Sequence, residues 1–230
     1  MKILITSDWY LPAVNGVVTS VKNLRRELEA RGHEVRVLTL SQNRHSCRKD
    51  GVTCLGSVAA GLIYPGARLR TALAGKWVRE IVEWGPDVVH SQCEFSTFFL
   101  ARRIAEELDI PLVHTYHTVY EDYTHYFSPN VRFGKKAAAV FTRWAASHTD
   151  CLIAPTGKVR LLLQGYGVEK PIFVVPSGID LRRFRDEPDP LRGAVLRASL
   201  DIPRERTVLV FVGRLAEEKR VDELLRFRAN

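Results

Sequence analysis

The sequence predicts an α/β protein built on a doubly wound parallel sheet, with helices on both faces. Short β-branched runs alternate with stretches whose apolar residues recur at helical spacing, as in successive βαβ units. Glycine and proline pairs punctuate the joins between these stretches. Hydrophobic residues make up 46% of the 230 and charged residues 26%, which is enough apolar material for a core and excludes a disordered, collagen-like or coiled-coil chain.

The first βαβ unit is the clearest. Lys2–Thr6 is predicted to be a buried strand, and a loop that contains Gly16 follows it. Apolar residues then recur at helical spacing from Val17 to Leu28, opposite a charged face, which predicts an amphipathic helix. Gly32 ends this helix, and Glu34–Thr39 is predicted to be the second strand.

The remaining elements continue the alternation of strand and helix. Further strands are predicted at Val88–His90, Leu112–Tyr116, Cys151–Ala154 and Ile172–Val175. Helices are predicted at Arg68–Trp84, Phe95–Leu108, Gly134–Ser147 and Thr156–Gln164.

The composition changes after residue 185. Residues 186–206 are rich in charge and proline, as expected of a connection between domains. Thr207–Val212 is a new β-branched run, predicted to be a strand, and a helix is predicted to open at Val221–Leu225. One strand and a partial helix cannot bury a core. We therefore predict an N-terminal domain over 1–185, an interdomain connection over 186–206 and the start of a second α/β domain over 207–230.

The net charge restricts the class of partner. The chain carries 34 Lys and Arg against 26 Asp and Glu, a net charge of +8, so its surface attracts anions such as nucleic acid, anionic lipid or phosphorylated substrates. No helix-turn-helix, zinc or RNA-reading motif accompanies the charge, and we predict no nucleic-acid partner.

The four cysteines and the apolar runs bear on the compartment. The cysteines lack a C-x-x-C pair and the density of a disulfide scaffold, so we interpret them as reduced thiols of a cytoplasmic protein. No cleavable leader is visible, and no apolar run approaches the roughly 18 residues that span a bilayer. A position on the surface of the membrane stays open.

Three patterns suggest binding chemistry. Gly16 precedes a helix whose N-terminus suits an anion, although a glycine there is more often only a turn residue. His114 and His117 stand at the carboxyl end of a predicted strand, where open parallel sheets bind ligands. On a strand they face opposite sides, which disfavours a shared metal and predicts one core histidine and one cleft histidine. Arg214 and Lys219 follow the last predicted strand and suit a diphosphate, or else belong to a solvated surface run.

Two stretches, Gly51–Arg79 and Tyr123–Thr149, contain no acidic residue. Cations beside aromatic residues are typical of an interfacial helix on anionic lipid, whereas the alternative is an aromatic stripe in the core with solvated cations. The candidate membrane-surface residues are Arg68, Arg70, Lys76, Arg132, Lys135 and Lys136.

Four short motifs are spread along the whole chain. They are Asp8-Trp9-Tyr10-Leu11-Pro12 leading to Gly16-Val17-Val18, Arg31-Gly32-His33-Glu34-Val35, Pro176-Ser177-Gly178-Ile179-Asp180, and Val212-Gly213-Arg214-Leu215 before Lys219. Together they resemble the retaining glycosyltransferases of the GT-B fold, close to glycosyltransferase family 4, in which two Rossmann-like domains face each other. The segments 92–96 and 114–126 resemble more narrowly the bacterial branch that glucosylates diacylglycerol.

The resemblance implies a reaction and a set of roles. It implies retaining transfer of a hexose from UDP-glucose or a similar nucleotide sugar to a membrane lipid such as 1,2-diacylglycerol, at the inner face of the cell membrane. His117 is then the catalytic residue, and Gly16, Arg214 and Lys219 bind the donor diphosphate. The acceptor-side residues are Tyr120, Glu121, Asp122, Tyr123 and Tyr126. The sequence has no Asp-x-Asp pair, which agrees with a metal-independent enzyme that needs no cofactor beyond its nucleotide-sugar substrate.

The chain departs from the family pattern at its end. In that family the second domain holds the uracil and ribose site and a Glu, seven residues, Glu motif, and no two glutamates here stand eight apart. The end also lacks a helix stop signal, so we expect a truncated chain that is inactive without the missing half. The alternatives are a non-catalytic lipid- or partner-binding remnant and a GT-B nucleotide-sugar epimerase.

Overall fold

The computed structural model describes residues 1–60, 67–70, 75–121, 130–184, 189–213, 215 and 219–227. The chain divides into two compact units, Met1–Ile179 and Asp180–Asn230. The strands are β1 (Lys2–Ser7), β2 (Glu34–Leu40), β3 (Cys47–Lys49), β4 (Val52–Leu55), β5 (Ser57–Ala59), β6 (Arg68–Arg70), β7 (Val88–Ser91), β8 (Leu112–Thr115), β9 (Cys151–Ala154) and β10 (Ile172–Val174). The helices are α1 (Gly16–Ala30), α2 (Gly75–Trp84), α3 (Ser96–Leu108), α4 (Val131–Ser147), α5 (Gly157–Gly165), α6 (Pro190–Ser199) and α7 (Val221–Phe227), with a 3-10 helix at Leu181–Phe184.

The first unit is built on an eight-stranded sheet in the order β10-β9-β8-β7-β1-β2-β4-β3. All its strand pairs are parallel except the β3–β4 hairpin at one edge, and β5 and β6 form a separate antiparallel pair. From β1 the chain first builds outward through β2 and β4, and it then returns to place β7 on the other side of β1. Such a reversal opens a crevice at the carboxyl ends of the two strands.

Helices cover both faces of this sheet, because successive residues of a strand point to opposite sides. Ile3 and Ile5 of β1 pack in one cluster with Val21 of α1. Leu4, between them, packs in another cluster with Phe98 of α3. The predicted doubly wound parallel α/β sheet is therefore confirmed.

One predicted helix begins later than expected. The prediction of a helix over Arg68–Trp84 is wrong at its start, because Arg68–Arg70 is the strand β6, and α2 begins at Gly75. Tertiary contacts override the helical pattern here: Arg68 Nε donates to the backbone oxygen of Ser41 at 2.9 Å and to the hydroxyl of Ser57 at 2.7 Å. The short strands β3 to β6 were not predicted.

The second unit lacks the predicted strand at Thr207–Val212. These residues are in an irregular conformation, and Val212 is 91% exposed. A strand needs a neighbour for its ladder of hydrogen bonds, and the described part of 180–230 forms no strand that could pair with it. The predicted helix at Val221 is present as α7, and α6 lies within the segment predicted as a connection. The proposed boundaries at 185 and 206 stay predictions.

Candidate functional site

A group of polar side chains lies at or just beyond the carboxyl ends of β1, β7 and β8, three neighbouring strands at the point where the sheet reverses. We call it the carboxyl-edge cluster. Its members are Asp8, Gln92, Glu94, His114, His117 and Tyr120. Since adjacent strands lie about 4.8 Å apart, residues that follow these three strands are brought to one crevice although they are far apart in sequence.

His117 is held by a hydrogen bond to a buried amide. Its Nε2–H donates to Gln92 Oε1 at 2.8 Å, and Gln92 is only 2% exposed. Burial lowers the pKa of His117 to about 4; the negative charge of Glu94 opposes this shift, and His114 adds to it. His117 is therefore a neutral imidazole at pH 7, with Nδ1 free of the proton and able to accept a hydrogen bond.

Glu94 joins the core of the cluster to its rim. Its Oε1 accepts a hydrogen bond from His114 Nε2 at 3.1 Å, and its Oε2 accepts one from the Tyr120 hydroxyl at 2.6 Å. His114 is buried and its ring packs edge-on against Phe98, so it is the core histidine of the predicted pair. Burial and the neighbouring carboxylate raise the pKa of Tyr120 well above its usual value, and this hydroxyl keeps its proton.

Asp8 ties the end of β1 to the start of α3. Its Oδ1 accepts the backbone N–H of Thr97 at 2.8 Å, in a helix whose own N-cap residue, Phe95, supplies no side-chain hydrogen bond. Burial raises the pKa of Asp8 to about 6, the hydrogen bonds to Thr97 oppose the shift, and the charge of Glu94 adds to it. The side chain thus substitutes for a helix cap and fixes β1 against α3.

Gly16 is the first residue of α1, which follows β1 and so starts at the same edge of the sheet. The Asn15 side chain caps this helix by accepting from the backbone N–H of Val18 at 2.9 Å. Gly16 is exposed, and a Cβ added to it would meet no atom within 4 Å. The helix therefore presents an open, positively polarised N-terminus, which suits an anion.

An aromatic wall borders the cluster. The ring of Tyr120 lies 6.1 Å from that of Phe95 and 5.7 Å from that of Phe141, both in edge-to-face contact. Phe141 belongs to α4 and stacks on Trp144 one turn later, at 5.9 Å. Phe95 is 46% exposed, so part of this wall is open to a ligand.

The structure places only some of the predicted site residues. Asp122, Tyr123, Tyr126 and Arg214 lie outside the described residues. Glu121 forms an ion pair with Lys135 of α4 at 3.3 Å.

The predicted membrane-surface cations differ in exposure. Arg68 is half-buried, and its guanidinium donates hydrogen bonds to Ser41 and Ser57. Lys76 forms a long ion pair with Glu80, 3.9 Å between nitrogen and oxygen. The remaining exposed members are Arg70, Arg132 and Lys136, and Lys219, predicted at the diphosphate, is exposed in the second unit.

Sequence reasoning missed Asp8, Gln92 and Glu94 as site residues, although it noted the segments that contain them. The available signal was their position directly after two buried strands. No group of three or more His, Cys, Asp or Glu among the described residues is arranged to hold a metal ion. No helix among them is long and apolar enough to cross a membrane.

Sequence comparisons relate the chain to known glycosyltransferases. Residues 14–183 match the profile of Glycosyltransferase Family 4. The chain is 32% identical over 226 residues to the alpha-monoglucosyldiacylglycerol synthase of Streptococcus pneumoniae, covering 98% of this chain and 51% of that protein. It is 34% identical over 235 residues to the enzyme of the same name from Acholeplasma laidlawii, covering 98% and 58%. The chain thus spans about half the length of these relatives.

A solved structure has the same fold. Sucrose-phosphate synthase from Thermosynechococcus elongatus matches 99% of this chain and 59% of its own with a TM-score of 0.64, at 18% identity. At that identity the likeness concerns the fold, a GT-B architecture of the kind expected from the motifs.

Proposed function

The chain belongs to glycosyltransferase family 4, and from this premise we propose that it forms the acceptor-side half of a retaining hexosyltransferase. The donor is UDP-glucose or a similar nucleotide sugar, the acceptor is a membrane lipid such as 1,2-diacylglycerol, and no metal takes part. The identity to two alpha-monoglucosyldiacylglycerol synthases supports the lipid acceptor. The family's second domain would supply the site for the nucleotide base.

The observation that carries the proposal is the neutral, fixed His117 at the reversal point of the sheet. Its hydrogen bond to Gln92 sets the orientation of the ring, and burial keeps the imidazole uncharged. Such a group binds sugar hydroxyls at the reaction centre without adding a charge there. In same-face transfer, the bond from the acceptor oxygen to C1 forms while the bond from C1 to the diphosphate oxygen breaks. The acceptor proton passes to the departing diphosphate, and no protein base is required.

The departing diphosphate needs positive partners. The open N-terminus of α1 at Gly16 supplies backbone N–H groups and the positive end of a helix dipole. By resemblance to the family, Arg214 and Lys219 are proposed to bind the donor diphosphate and to stabilise the charge that develops on the leaving group.

The lipid acceptor would arrive along α4. The outward face of this helix carries the exposed cations Arg132, Lys136 and Arg143 together with the exposed apolar residues Phe133 and Val140. Cations at an anionic membrane surface contribute on the order of 1 kcal/mol each, and apolar side chains beside them enter the interface. The same helix carries Phe141 of the aromatic wall, so membrane contact and the cluster share one element.

A transfer assay tests the proposal. Radiolabelled UDP-glucose is supplied with diacylglycerol in vesicles that contain the anionic lipid phosphatidylglycerol, which attracts exposed cations. The enzymes are the 230-residue chain and a chimera that continues it with the C-terminal part of the Streptococcus pneumoniae relative. We expect glucosyldiacylglycerol with retained α configuration from the chimera, in the presence of EDTA.

Two results would contradict the proposal. A well-folded chimera that hydrolyses or epimerises the nucleotide sugar without using a lipid would favour a different reaction. Vesicle binding by both forms with no transfer by either would favour the non-catalytic remnant.

A further inference from the structure

Two cysteines face each other at the edge of the sheet, remote from the carboxyl-edge cluster in the strand order. Cys47 lies on the edge strand β3 and Cys54 on its neighbour β4, and the antiparallel register places them directly opposite. Neither residue takes part in the proposed transfer reaction. Both are free thiols in the structure.

The register fits the geometry of a disulfide. Directly opposite residues of antiparallel strands have Cα atoms about 4.5 to 5.5 Å apart and side chains on the same face of the sheet. A disulfide needs Cα atoms roughly 4.4 to 6.8 Å apart. The register therefore brings the backbones of Cys47 and Cys54 within the range that a disulfide spans.

The hairpin turn keeps this register from slipping. Asp50 and Gly51 connect the two strands with φ angles of 48° and 73°, as a tight two-residue hairpin turn requires. One step from the cysteines, Arg48 Nε donates to the Thr53 hydroxyl at 3.1 Å.

The four cysteines differ in solvent exposure and in whether another thiol is adjacent. Cys47 is exposed and Cys54 is half-buried, whereas Cys93 is buried. Burial raises the pKa of the Cys54 thiol to about 11, and the adjacent Cys47 thiol adds to the shift. Cys151 is half-buried on β9, far along the strand order from β3.

We propose that Cys47 and Cys54 form a redox-active dithiol that low-molecular-weight disulfides, such as oxidised glutathione, convert into an intramolecular cross-strand disulfide. The Cys47 thiolate attacks the small disulfide, forms a mixed disulfide and releases one small thiol. The Cys54 thiolate then attacks the Cys47 sulfur, forms the protein disulfide and releases the second small thiol. Two protein thiols are oxidised, one small disulfide is reduced to two thiols, and the two protons pass to them.

The new bond would join β3 to β4 next to a contact that their flanking residues already make. After β2 the chain folds back on the end of β4: the Ser57 backbone N–H donates to the Asn43 oxygen at 2.8 Å, and that of Gly56 donates to the Ser46 hydroxyl at 2.9 Å. Gly56 permits this approach, since a Cβ there would lie 2.1 Å from the backbone oxygen of Arg44. Oxidation covalently joins the two strands beneath this contact and slows their separation.

The test treats the 230-residue chain with oxidised glutathione, blocks free thiols and maps the tryptic peptides without reduction. Trypsin cleaves after Arg48 and Lys49, so a Cys47–Cys54 bond appears as two peptides joined by a disulfide, and reduction separates them. We expect loss of two of the four thiols, with no glutathione retained. Amide exchange in β3 and β4 should slow at least about threefold on oxidation.

Single variants separate the two steps. Cys54→Ser should accumulate a stable glutathione adduct on Cys47, while the matched control Cys151→Ser should still form the linked peptides. In the parent chain, closure should accelerate about tenfold from pH 7 to pH 8, because the attacking Cys54 thiolate is scarce over that range.

Three results would overturn the proposal, provided that all four thiols react in denaturant. The first is four intact thiols after oxidation at a potential that oxidises a control dithiol peptide. The second is a persistent glutathione adduct on Cys47 in the parent chain. The third is a bond between two copies of the chain, seen as a dimer on non-reducing gels.

Discussion

The carboxyl-edge cluster favours the neutral forms of its side chains, whereas the outward face of α4 exposes charged ones. In the cluster, burial raises the pKa of Asp8 to about 6 and lowers that of His117 to about 4, so acid and base both move toward their neutral forms. On α4, the cations Arg132, Lys136 and Arg143 are exposed to solvent. The cluster is therefore suited to oriented hydrogen bonds, whereas attraction of anions belongs to the surface.

The contrast gives the two regions different roles in the proposed enzyme. A neutral His117 cannot offset the charge of a diphosphate, which must be met by the start of α1 and by cations elsewhere. The net charge of +8 acts on the encounter with the membrane and is sensitive to salt. Hydrogen bonds inside the cluster are shielded from salt and set the geometry of the reaction.

The largest effect is expected at His117. His117→Ala in the chimera should reduce kcat about 10²- to 10³-fold, the range found when one preorganised polar group is removed from a reaction centre. Vesicle binding should change little, and the free energy of unfolding should fall by only about 1 to 3 kcal/mol, because the buried Gln92 amide loses its hydrogen bond to the ring. His45→Ala, at an exposed position, is the matched control and should retain activity. Loss of folding in His117→Ala would instead assign this residue to the core.

The second prediction concerns the stability of the cluster. Glu94→Leu should lower the free energy of unfolding by about 2 to 4 kcal/mol, because His114 Nε2 and the Tyr120 hydroxyl both lose their acceptor in a buried setting. Urea denaturation measures the change. The control Glu83→Leu, at an exposed position on α2, should stay within about 0.5 kcal/mol. Equal effects of the two substitutions would mean that the buried network contributes nothing.

The third prediction tests the outward face of α4. The double variant Arg132→Gln, Lys136→Gln should weaken binding to anionic vesicles about 30-fold at low salt, from about 1 kcal/mol for each cation. The salt dependence of binding should also become less steep. A control pair, Lys22→Gln and Lys158→Gln, removes two exposed cations from other helices. An equal loss in this control would show that net charge alone, not the α4 face, attracts the membrane.

The fourth prediction uses the histidine behind the cluster. His90 Nε2 lies 2.7 Å from the Thr115 hydroxyl, and burial lowers the pKa of His90 to about 3, with smaller contributions from His114 and His117. Because the pKa of His90 is lower in the folded chain than in the unfolded chain, the unfolded chain binds the proton first as the pH falls. The fold is therefore most stable above about pH 6.5 and loses stability as the pH falls toward 3. At pH 5 the loss is about 2 kcal/mol, from about 1.5 pH units at about 1.4 kcal/mol each.

Thermal unfolding between pH 7.5 and pH 4.5 measures this linkage. His90→Gln should show a shallower fall of Tm with acid than the parent chain, while the exposed His45→Gln should follow the parent. Parallel curves for all three proteins would mean that His90 titrates normally in the folded state.

Local pattern was sufficient for most parallel strands of the sheet and failed for β3, β4 and the separate pair of β5 and β6. β1, β9 and α3 carry their signal in their own residues, as buried β-branched runs or apolar residues at helical spacing. The three-residue strands β3 and β6 exist because a partner strand pairs with each of them. Thr207–Val212 is the converse case: strong β propensity without a partner gives no strand.

The candidate site shows the same limit. His117 and Gly16 were expected from their place after a strand or before a helix, but the partners of the cluster are distant in sequence. Gln92 and His117 are 25 residues apart, and Asp8 and Thr97 are 89 apart. No local pattern carries such a pairing, and only the parallel register of β1, β7 and β8 creates it.

The smallest effect is expected at Gly16, the residue proposed to lie beside the donor diphosphate. The fold itself tolerates a methyl group there, since an added Cβ meets nothing within 4 Å and alanine favours the helix. Gly16→Ala should therefore leave Tm unchanged or slightly higher. If the donor diphosphate approaches the backbone at this point, the methyl group lies in its path, and KM for the nucleotide sugar should rise about tenfold, or about 1.4 kcal/mol. Ser20→Ala on the same helix is the control. An unchanged KM in Gly16→Ala, with folding intact, would remove the start of α1 from the diphosphate site and leave that charge to cations alone.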